Sequence, residues 1–89
     1  MSHPAPTIAV LLPCYNEAVT IVQVIEQFRR SLPEAQIHVF DNNSTDGSAD
    51  LARGAGAIVR QVQLQGKGNV VRRMFADVEA DVYIMADAD

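Results

Sequence analysis

Four short apolar segments alternate with polar and amphipathic stretches along the chain, and they predict strands at about residues 8–12, 37–40, 57–62 and 82–86. Unbroken apolar runs of this length are typical of strands that are buried on both faces of a parallel sheet. Pro13 is predicted to end the first strand, because proline has no backbone N–H to donate. The third segment contains Arg60 and Gln61, so we expect it nearer an edge of the sheet.

Between the first two strands, apolar residues recur at helical spacing and form one face: Ile21, Ile25, Phe28 and Leu32. This pattern predicts a helix from about residue 17 to residue 31, which Pro33 follows. Asn16 is predicted as its N-cap, and the negative charge of Glu17 suits a helix start.

Two more helices are predicted. A short one ends near Arg53, before two glycines, and Asp46 is its predicted cap. A third opens after Gly66-Lys67-Gly68 and carries apolar residues at i, i+3, i+4 and i+7, which are Val71, Met74, Phe75 and Val78.

Alternating strands and helices predict an α/β fold, with a parallel sheet of about four strands and helices on both faces. Polar clusters at residues 13–17, 41–48 and 87–89 all follow predicted strands. Ligands of such sheets bind at the carboxyl ends of the strands, near a switch in strand order. We therefore expect a binding site at that edge.

Composition narrows the class of protein. The chain is 48% hydrophobic and 20% charged, which is typical of a folded domain, and its net charge of −4 argues against a nucleic-acid partner. The single cysteine, Cys14, excludes an internal disulfide and a cysteine zinc site. No signal-peptide core and no run of about 18 apolar residues occurs. We expect a cytoplasmic protein, and attachment of a longer parent chain to the cytoplasmic face of a membrane stays open.

The acidic triplet Asp87-Ala88-Asp89 directly follows the fourth apolar run. Side chains at i and i+2 of an extended backbone point the same way, so Asp87 and Asp89 are suited to hold one cation. Carboxylate oxygens favour Mg²⁺ or Mn²⁺ bound together with a phosphorylated ligand. A solvated loop start is the alternative interpretation of the same pattern.

The first two strand-end loops also offer binding groups. Tyr15 is suited to stack on a base, and Glu17 to accept hydrogen bonds from a ribose or base; the alternative is a turn with a helix cap. Asp41 is suited to accept from a ribose hydroxyl or a base N–H, or else to organise the turn that follows it. No G-x-G-x-x-G follows the first strand, so a dinucleotide site lacks its phosphate-binding turn.

Lys67 lies between two glycines at a predicted helix start, where it could attract a phosphate or belong to a plain loop. The segment is not a Walker A loop, because Gly68 stands where Ser or Thr is required. Cys14 is interpreted as a packing residue, since no histidine is placed to activate its thiol.

Taken together, four segments in this order resemble the start of a family 2 glycosyltransferase with a GT-A fold: residues 8–17, 39–48, 66–69 and the D-x-D triplet 87–89. The resemblance is nearest to the branch that transfers sugars to dolichyl or polyprenyl phosphate. It implies the nucleotide-binding half of a GT-A (Rossmann-like) domain.

The resemblance also implies a UDP- or GDP-sugar donor, Mg²⁺ or Mn²⁺, and transfer with inversion by direct displacement, to a polyprenyl phosphate or a glycan. Pro13, Tyr15 and Glu17 match the segment that lines the nucleoside, and Asp41 matches the acid that contacts the base. The Lys67 region lies near the donor in such enzymes. The pair that holds the ribose or the metal-bound diphosphate is matched by Asp87 and Asp89. No catalytic residue is identified, and any general base is expected beyond residue 89.

We expect residues 1–6 to be a flexible N-terminus and residues 7–89 to be the incomplete, nucleotide-sugar-binding part of the transferase domain. Two alternatives stay open. A nucleotidyltransferase would be expected to carry a Gly-rich basic loop after the first strand, where this chain has Pro-Cys-Tyr-Asn-Glu. A small non-catalytic α/β binding module would be complete in 89 residues.

The first prediction concerns the chain by itself. We expect the purified 89-residue chain to bind donor weakly and to transfer no sugar, because the acceptor site is expected beyond it. Assays of sugar transfer with UDP- and GDP-sugars test this, and measurable turnover would contradict it.

Overall fold

The computed structural model describes residues 5–62, 72 and 74–86, which form an α/β fold around one sheet. Its strands are β1 (Ile8–Cys14), β2 (Gln36–Asp41), β3 (Ile58–Gln61) and β4 (Val82–Met85). Its helices are α1 (Ile21–Ser31) and α2 (Ser48–Gly54), and residues 74–77 are also helical. Each predicted strand and helix therefore has a counterpart in the described residues.

The sheet has the strand order β3-β2-β1-β4, and all three neighbouring pairs are parallel. The pairing of β1 with β2 runs from Ala9↔Gln36 to Cys14↔Asp41. This register brings both strands to their carboxyl ends at the same level. The predicted parallel sheet is confirmed, and so is the edge position of β3 within the described strands.

Side chains alternate between the two faces of the sheet and build a core on each. Val10, Leu12 and Val39 lie on one face in a cluster with buried residues of α1 and α2: Ile21, Ile25 and Ala52. The other face carries Ala9, Leu11 and Phe40, which cluster with Met74 and Val78. Helical segments thus cover both faces, as predicted. No helix among the described residues is long and apolar enough to cross a membrane.

Pro13 does not end β1, which continues to Cys14. The prediction was wrong because the missing N–H of Pro13 affects pairing with only one of the two strands that flank β1. Backbone groups of alternate residues in a strand face alternate neighbours, and the Leu11 carbonyl accepts from Ala86 N at 3.2 Å on the β4 side. Residue 13 faces that same side, where its N–H would have bonded next. Within the described residues, pairing with β4 extends to Leu11↔Met85 and pairing with β2 extends to Cys14↔Asp41.

Helix α1 begins at Ile21 rather than near residue 17, and Asn16 is not its N-cap. The N-cap is Thr20, which makes no side-chain capping bond. Asn16 has a φ of 51°, in the left-handed region, and its side chain bonds to another loop. The Glu17 carbonyl accepts from the amides of Thr20 (3.1 Å) and Ile21 (2.8 Å), so a single turn precedes the helix.

The third predicted helix is only partly within the described residues. Met74 and Val78 are buried as predicted, but Phe75 is 51% exposed and packs edge-on against Tyr83, with ring centroids 5.4 Å apart. Phe75 therefore lies at the border of the apolar face rather than inside it. Val71 lies outside the described residues.

His38 is a buried polar residue on the sheet face that carries Phe40. Its Nε2 lies 3.2 Å from Oε1 of Gln36, a geometry that suits a neutral ring with the proton on Nε2. Within the described part of the chain, Nδ1 has no hydrogen-bond partner. Burial lowers the pKa of His38, and the positive charge of Arg60 lowers it further.

This pKa shift predicts how stability depends on pH. The folded chain binds the His38 proton less tightly than the unfolded chain does, so the stabilisation is present above pH 6.5 and is lost as the pH falls below it. We expect the free energy of unfolding, measured in urea, to fall between pH 7.5 and pH 5.5. His38→Phe removes the titrating group and should flatten this dependence. Equal slopes for the two proteins would contradict the assignment.

Candidate functional site

The strand order places a switch point beside β1. The chain passes from β1 to β2 and β3 on one side of the sheet, and then returns to place β4 on the other side of β1. Where successive connections leave the sheet in opposite directions, the strand order reverses. A crevice opens there at the carboxyl ends of the strands. The loops that follow β1 and β2 begin at this edge.

One backbone bond joins the end of β2 to the end of β1, and another joins the end of β3 to the end of β2. The amide of Asn42 donates to the carbonyl of Cys14 at 2.8 Å, and the amide of Val62 donates to the carbonyl of Asp41 at 2.8 Å. Tyr15 follows directly and is 57% exposed, while Pro13 is half-buried. Tyr15 and Asp41 thus lie at the carboxyl ends of two neighbouring strands, and their roles as ligand contacts stay predictions.

Asp41 is the most unusual polar group at this edge. Its side chain is 1% exposed, and Oδ2 accepts from the amide of Ser44 at 3.2 Å. Oδ1 is also buried but has no partner among the described residues. A buried carboxylate oxygen without a hydrogen bond is costly, by about 1–3 kcal/mol. Asp41 therefore organises its turn, as one of the two predictions stated, and keeps one oxygen available for an N–H or O–H donor.

The first loop, residues 15–20 after β1, is bonded by side chains to the second loop, residues 42–48 after β2, which includes the first residue of α2. Three successive amides of the first loop each donate to a side chain of the second, in the pairs Asn16 N to Ser44 Oγ (2.8 Å), Glu17 N to Ser48 Oγ (2.9 Å) and Ala18 N to Asp46 Oδ2 (3.0 Å). In return, Oδ1 of Asn16 accepts from the amide of Thr45 at 2.8 Å. The two loops therefore form one unit.

Asp46 has a wider role than the helix cap that was predicted. The N-cap of α2 is Gly47, which makes no side-chain bond; Asp46 accepts from the amide of Ser48 at 3.0 Å and also bonds to its hydroxyl. The hydrogen bond from Ser48 is the main reason that the pKa of Asp46 is lowered. The second carboxylate oxygen reaches the first loop at Ala18.

Sequence reasoning missed this pairing of the loops. Asn, Asp and Ser side chains bond most often to their own backbone neighbours, so local patterns predict caps and turns. The signal that could have revealed it is the presence of such residues after both neighbouring strands. Glu17 is an example of a residue that the pairing of the loops holds in place. Its amide and its carbonyl are both hydrogen-bonded, and the residue is half-buried.

Cys14 is buried between these loops and belongs to the core cluster of Leu12 and Val39. Burial raises the pKa of its thiol, and the negative charge of Asp41 raises it further. A thiol of this kind is poorly ionised at neutral pH and therefore a weak nucleophile. The interpretation of Cys14 as a packing residue fits this environment.

Three predicted site residues, Lys67, Asp87 and Asp89, lie outside the described residues. Ala86, which precedes Asp87, is bonded to the carbonyl of Leu11. Within residues 5–62, 72 and 74–86, no group of three or more His, Cys, Asp or Glu side chains could hold a metal. The metal site remains a prediction about Asp87 and Asp89.

The opposite edge of the sheet holds a cavity of about 220 Å³. Gln36 and Ile58, at the starts of β2 and β3, contribute to its lining. Arg29 also lines it and donates to the carbonyl of Ala55 at 3.0 Å. None of the predicted site residues within the described ranges lines this cavity.

Comparison with known proteins identifies the family. Residues 9–89 match the sequence profile described as glycosyl transferase family 2. The chain belongs to this family. The predicted resemblance is thereby confirmed, and the match includes every predicted site residue.

Two relatives of this chain are similar to it over nearly its whole length. Protein RfbJ of Shigella flexneri is 60% identical over 82 residues, which are 92% of this chain and 64% of that protein. Glycosyltransferase AglJ of Haloferax volcanii is 41% identical over 88 residues, 97% of this chain and 29% of that protein. The chain thus spans less than two thirds of the length of both relatives.

Among solved structures, glucosyl-3-phosphoglycerate synthase from Mycobacterium tuberculosis, in complex with Mn²⁺, UDP and phosphoglyceric acid, has a TM-score of 0.85 and 30% identity. The match covers 94% of this chain and 33% of that one. Mannosyl-3-phosphoglycerate synthase from Rubrobacter xylanophilus has a TM-score of 0.84 and 29% identity over 94% of this chain and 31% of that one. These likenesses confirm the predicted GT-A fold class.

Proposed function

We propose that this chain is the nucleotide-sugar-binding part of a glycosyltransferase whose donor is a UDP-sugar. The observation that carries the proposal is the buried Oδ1 of Asp41 at the carboxyl end of β2, which has no hydrogen-bond partner among the described residues, with the exposed Tyr15 directly after the neighbouring strand β1. Family membership supports the reaction class. Mn²⁺ and UDP together in the complex of the Mycobacterium tuberculosis synthase support the choice of ligand.

The free oxygen of Asp41 suits the uracil ring. Uracil offers one N–H between two carbonyls, whereas guanine offers N–H groups on two adjacent nitrogens, which match both oxygens of a carboxylate. In Asp41 one oxygen already accepts from Ser44, so a single N–H is the better match. Because Oδ1 is shielded from solvent, a base reaches it only after a small local shift. The new bond then offsets the cost of an unpartnered buried oxygen.

Tyr15 supplies the second element of recognition. Its ring is exposed directly after β1, and base–aromatic stacking is worth roughly 1–3 kcal/mol. Glu17 lies two residues further, on the backbone that the second loop holds, and is suited to accept from a ribose hydroxyl. Pro13, two residues before Tyr15, restricts the backbone φ near the end of β1.

The diphosphate is assigned to the acidic residues that follow β4 in the sequence and to Lys67. We propose that Asp87 and Asp89 hold Mg²⁺ or Mn²⁺, because carboxylate pairs suit these ions and Asp87 directly follows Ala86, which is bonded to β1. The bound ion supplies charge neutralisation for the departing nucleoside diphosphate. Lys67 adds a positive charge for the same phosphates.

Other details of the reaction stay predictions: inversion at the anomeric carbon, a polyprenyl phosphate or glycan acceptor, and a cytoplasmic location. Of the two alternatives, a nucleotidyltransferase is not favoured, because the residues after β1 form a polar loop bonded to the second loop and not a glycine-rich phosphate loop. The non-catalytic binding module is not favoured either, because the chain belongs to a transferase family.

Asp41→Asn tests the proposal at its central residue. The variant keeps an acceptor for Ser44 but replaces the free oxygen by the NH₂ group of the side-chain amide, a donor that faces the N–H of the base. A hydrogen bond to a charged group is worth about 1.5–3 kcal/mol, so we expect UDP to bind roughly 10- to 150-fold more weakly in calorimetric titration.

Asp50→Asn is the matched control, because it makes the same charge change on an exposed residue, which pairs with Arg53 on the surface. Its affinity for UDP should equal that of the wild type. An unchanged affinity in Asp41→Asn, with normal circular dichroism, would contradict the assigned base contact.

Metal dependence is tested separately. We expect UDP-sugar to bind more tightly with Mn²⁺ than with EDTA, and Asp89→Ala to lose this increment because one of the two carboxylates is gone. Glu34→Ala, an exposed acid just before β2, should keep the increment in full. Binding that is independent of metal, or no effect of Asp89→Ala, would count against the assigned ligands.

A further inference from the structure

Asp46 lies at the centre of the bonds that join the two loops. One carboxylate oxygen accepts from the amide and the hydroxyl of Ser48, and the other accepts from the amide of Ala18. The hydroxyl oxygen of Ser48 in turn accepts from the amide of Glu17 at 2.9 Å. Two successive amides of the first loop therefore depend on this one carboxylate, Ala18 directly and Glu17 through Ser48.

Ser48 cannot easily take another arrangement. It is fully buried, and its single hydroxyl proton is committed to Asp46. Its lone pairs are thereby oriented towards the amide of Glu17. Without the carboxylate, the hydroxyl would lose this acceptor, and its lone pairs would no longer be fixed towards the amide of Glu17.

A helix cap alone would not require this geometry. The bond from the amide of Ser48 to Asp46 satisfies the start of α2, yet the other oxygen of Asp46 bonds to a residue 28 positions earlier in the chain. The bonded amides directly follow Tyr15 and Asn16, which leave β1 at the level of Asp41. The network therefore sets the direction in which the first loop leaves the sheet.

We propose that Asp46 is a positioning residue of the donor site: its carboxylate fixes the amides of Glu17 and Ala18 and thereby holds Tyr15 beside the end of β2. This inference rests on the proposed function, since it assigns Tyr15 to the base. Asp46 itself touches no ligand. Its effect on affinity arises because a loop that is already ordered loses less freedom on binding.

Asp46→Asn breaks the network without changing the size of the side chain. An amide has one oxygen, so whichever way it is rotated its NH₂ group faces a donor, either Ala18 N or Ser48. We expect faster hydrogen exchange at the amides of Glu17 and Ala18, and UDP binding weakened by about fivefold or more. Asp50→Asn, with the same charge change on the exposed side of α2, should alter neither quantity.

A double-mutant cycle with Tyr15→Ala distinguishes positioning from a loss of stability. If Asp46 acts through Tyr15, the loss of UDP affinity caused by Asp46→Asn shrinks to less than about twofold once the ring is absent. A purely structural role would give the same loss with and without the ring. If Asp46→Asn does not fold, Ser48→Ala takes its place in the cycle, because it removes the acceptor for Glu17 and the hydroxyl that donates to Asp46 but leaves the bond from Ala18 to Asp46.

The outcomes separate the two proposals. Weakened binding that depends on Tyr15 supports the inference. Normal binding by Asp46→Asn, or a loss that is independent of Tyr15, overturns the inference and leaves the proposed function standing. If the wild-type chain shows no binding of UDP with Mg²⁺ at millimolar concentration, the proposed function fails and the inference fails with it.

Discussion

The parallel pairing of β1 with β2, in the register that ends at Cys14↔Asp41, is the constraint on which the rest of the site depends. It is maintained by apolar side chains on both faces of the sheet, among them Leu12, Val39 and Phe40, all fully buried. Each such side chain contributes roughly 1.5–3 kcal/mol, so the register is held by the core and not by the loops. A slip of one residue would turn Asp41 to the opposite face.

Beyond the strand ends, polar bonds replace apolar packing. The amides of residues 16–18 all donate to side chains of the second loop, so this irregular backbone is well satisfied. Oδ1 of Asp41 stands out against that background, because it is a buried charged oxygen without a partner among the described residues. Buried polar groups without a partner are uncommon, and each of them calls for an explanation such as a bound water, an ion or a functional role. The loop amides have hydrogen-bond partners and Oδ1 of Asp41 has none among the described residues. This difference is the reason that we regard these loops as a candidate binding site.

The parts of the fold that depend on periodicity could be predicted from the sequence. Ile21 and Ile25 indicated the buried face of α1, and the unbroken apolar runs indicated a parallel sheet. The errors fall where two distant segments meet. Asn16 is a good N-cap residue by local preference, but its side chain accepts from Thr45, 29 positions away, and α1 begins four residues later than the predicted start at 17. Asp46 was likewise interpreted within its own loop.

Pro13 shows a different limit, because its effect depends on which neighbour each backbone group faces, and that is fixed only once the strand order is known. The site residues could be proposed from motif resemblance, since Tyr15 and Asp41 follow strands that the pattern already placed. How Tyr15 and Asp41 are placed relative to each other could be derived only from the register of β1 with β2. The bonding partners of Asp41 required side-chain coordinates.

The most direct test of the account is a map of where UDP binds, obtained from ¹H–¹⁵N spectra of the chain during titration with UDP and Mg²⁺. The account predicts that the largest shifts fall on the amides of residues 15–18 and 42–45, at the carboxyl edge of β1 and β2. Shifts confined to Gln36, Gly56 and Ile58, at the cavity on the opposite edge, would contradict it.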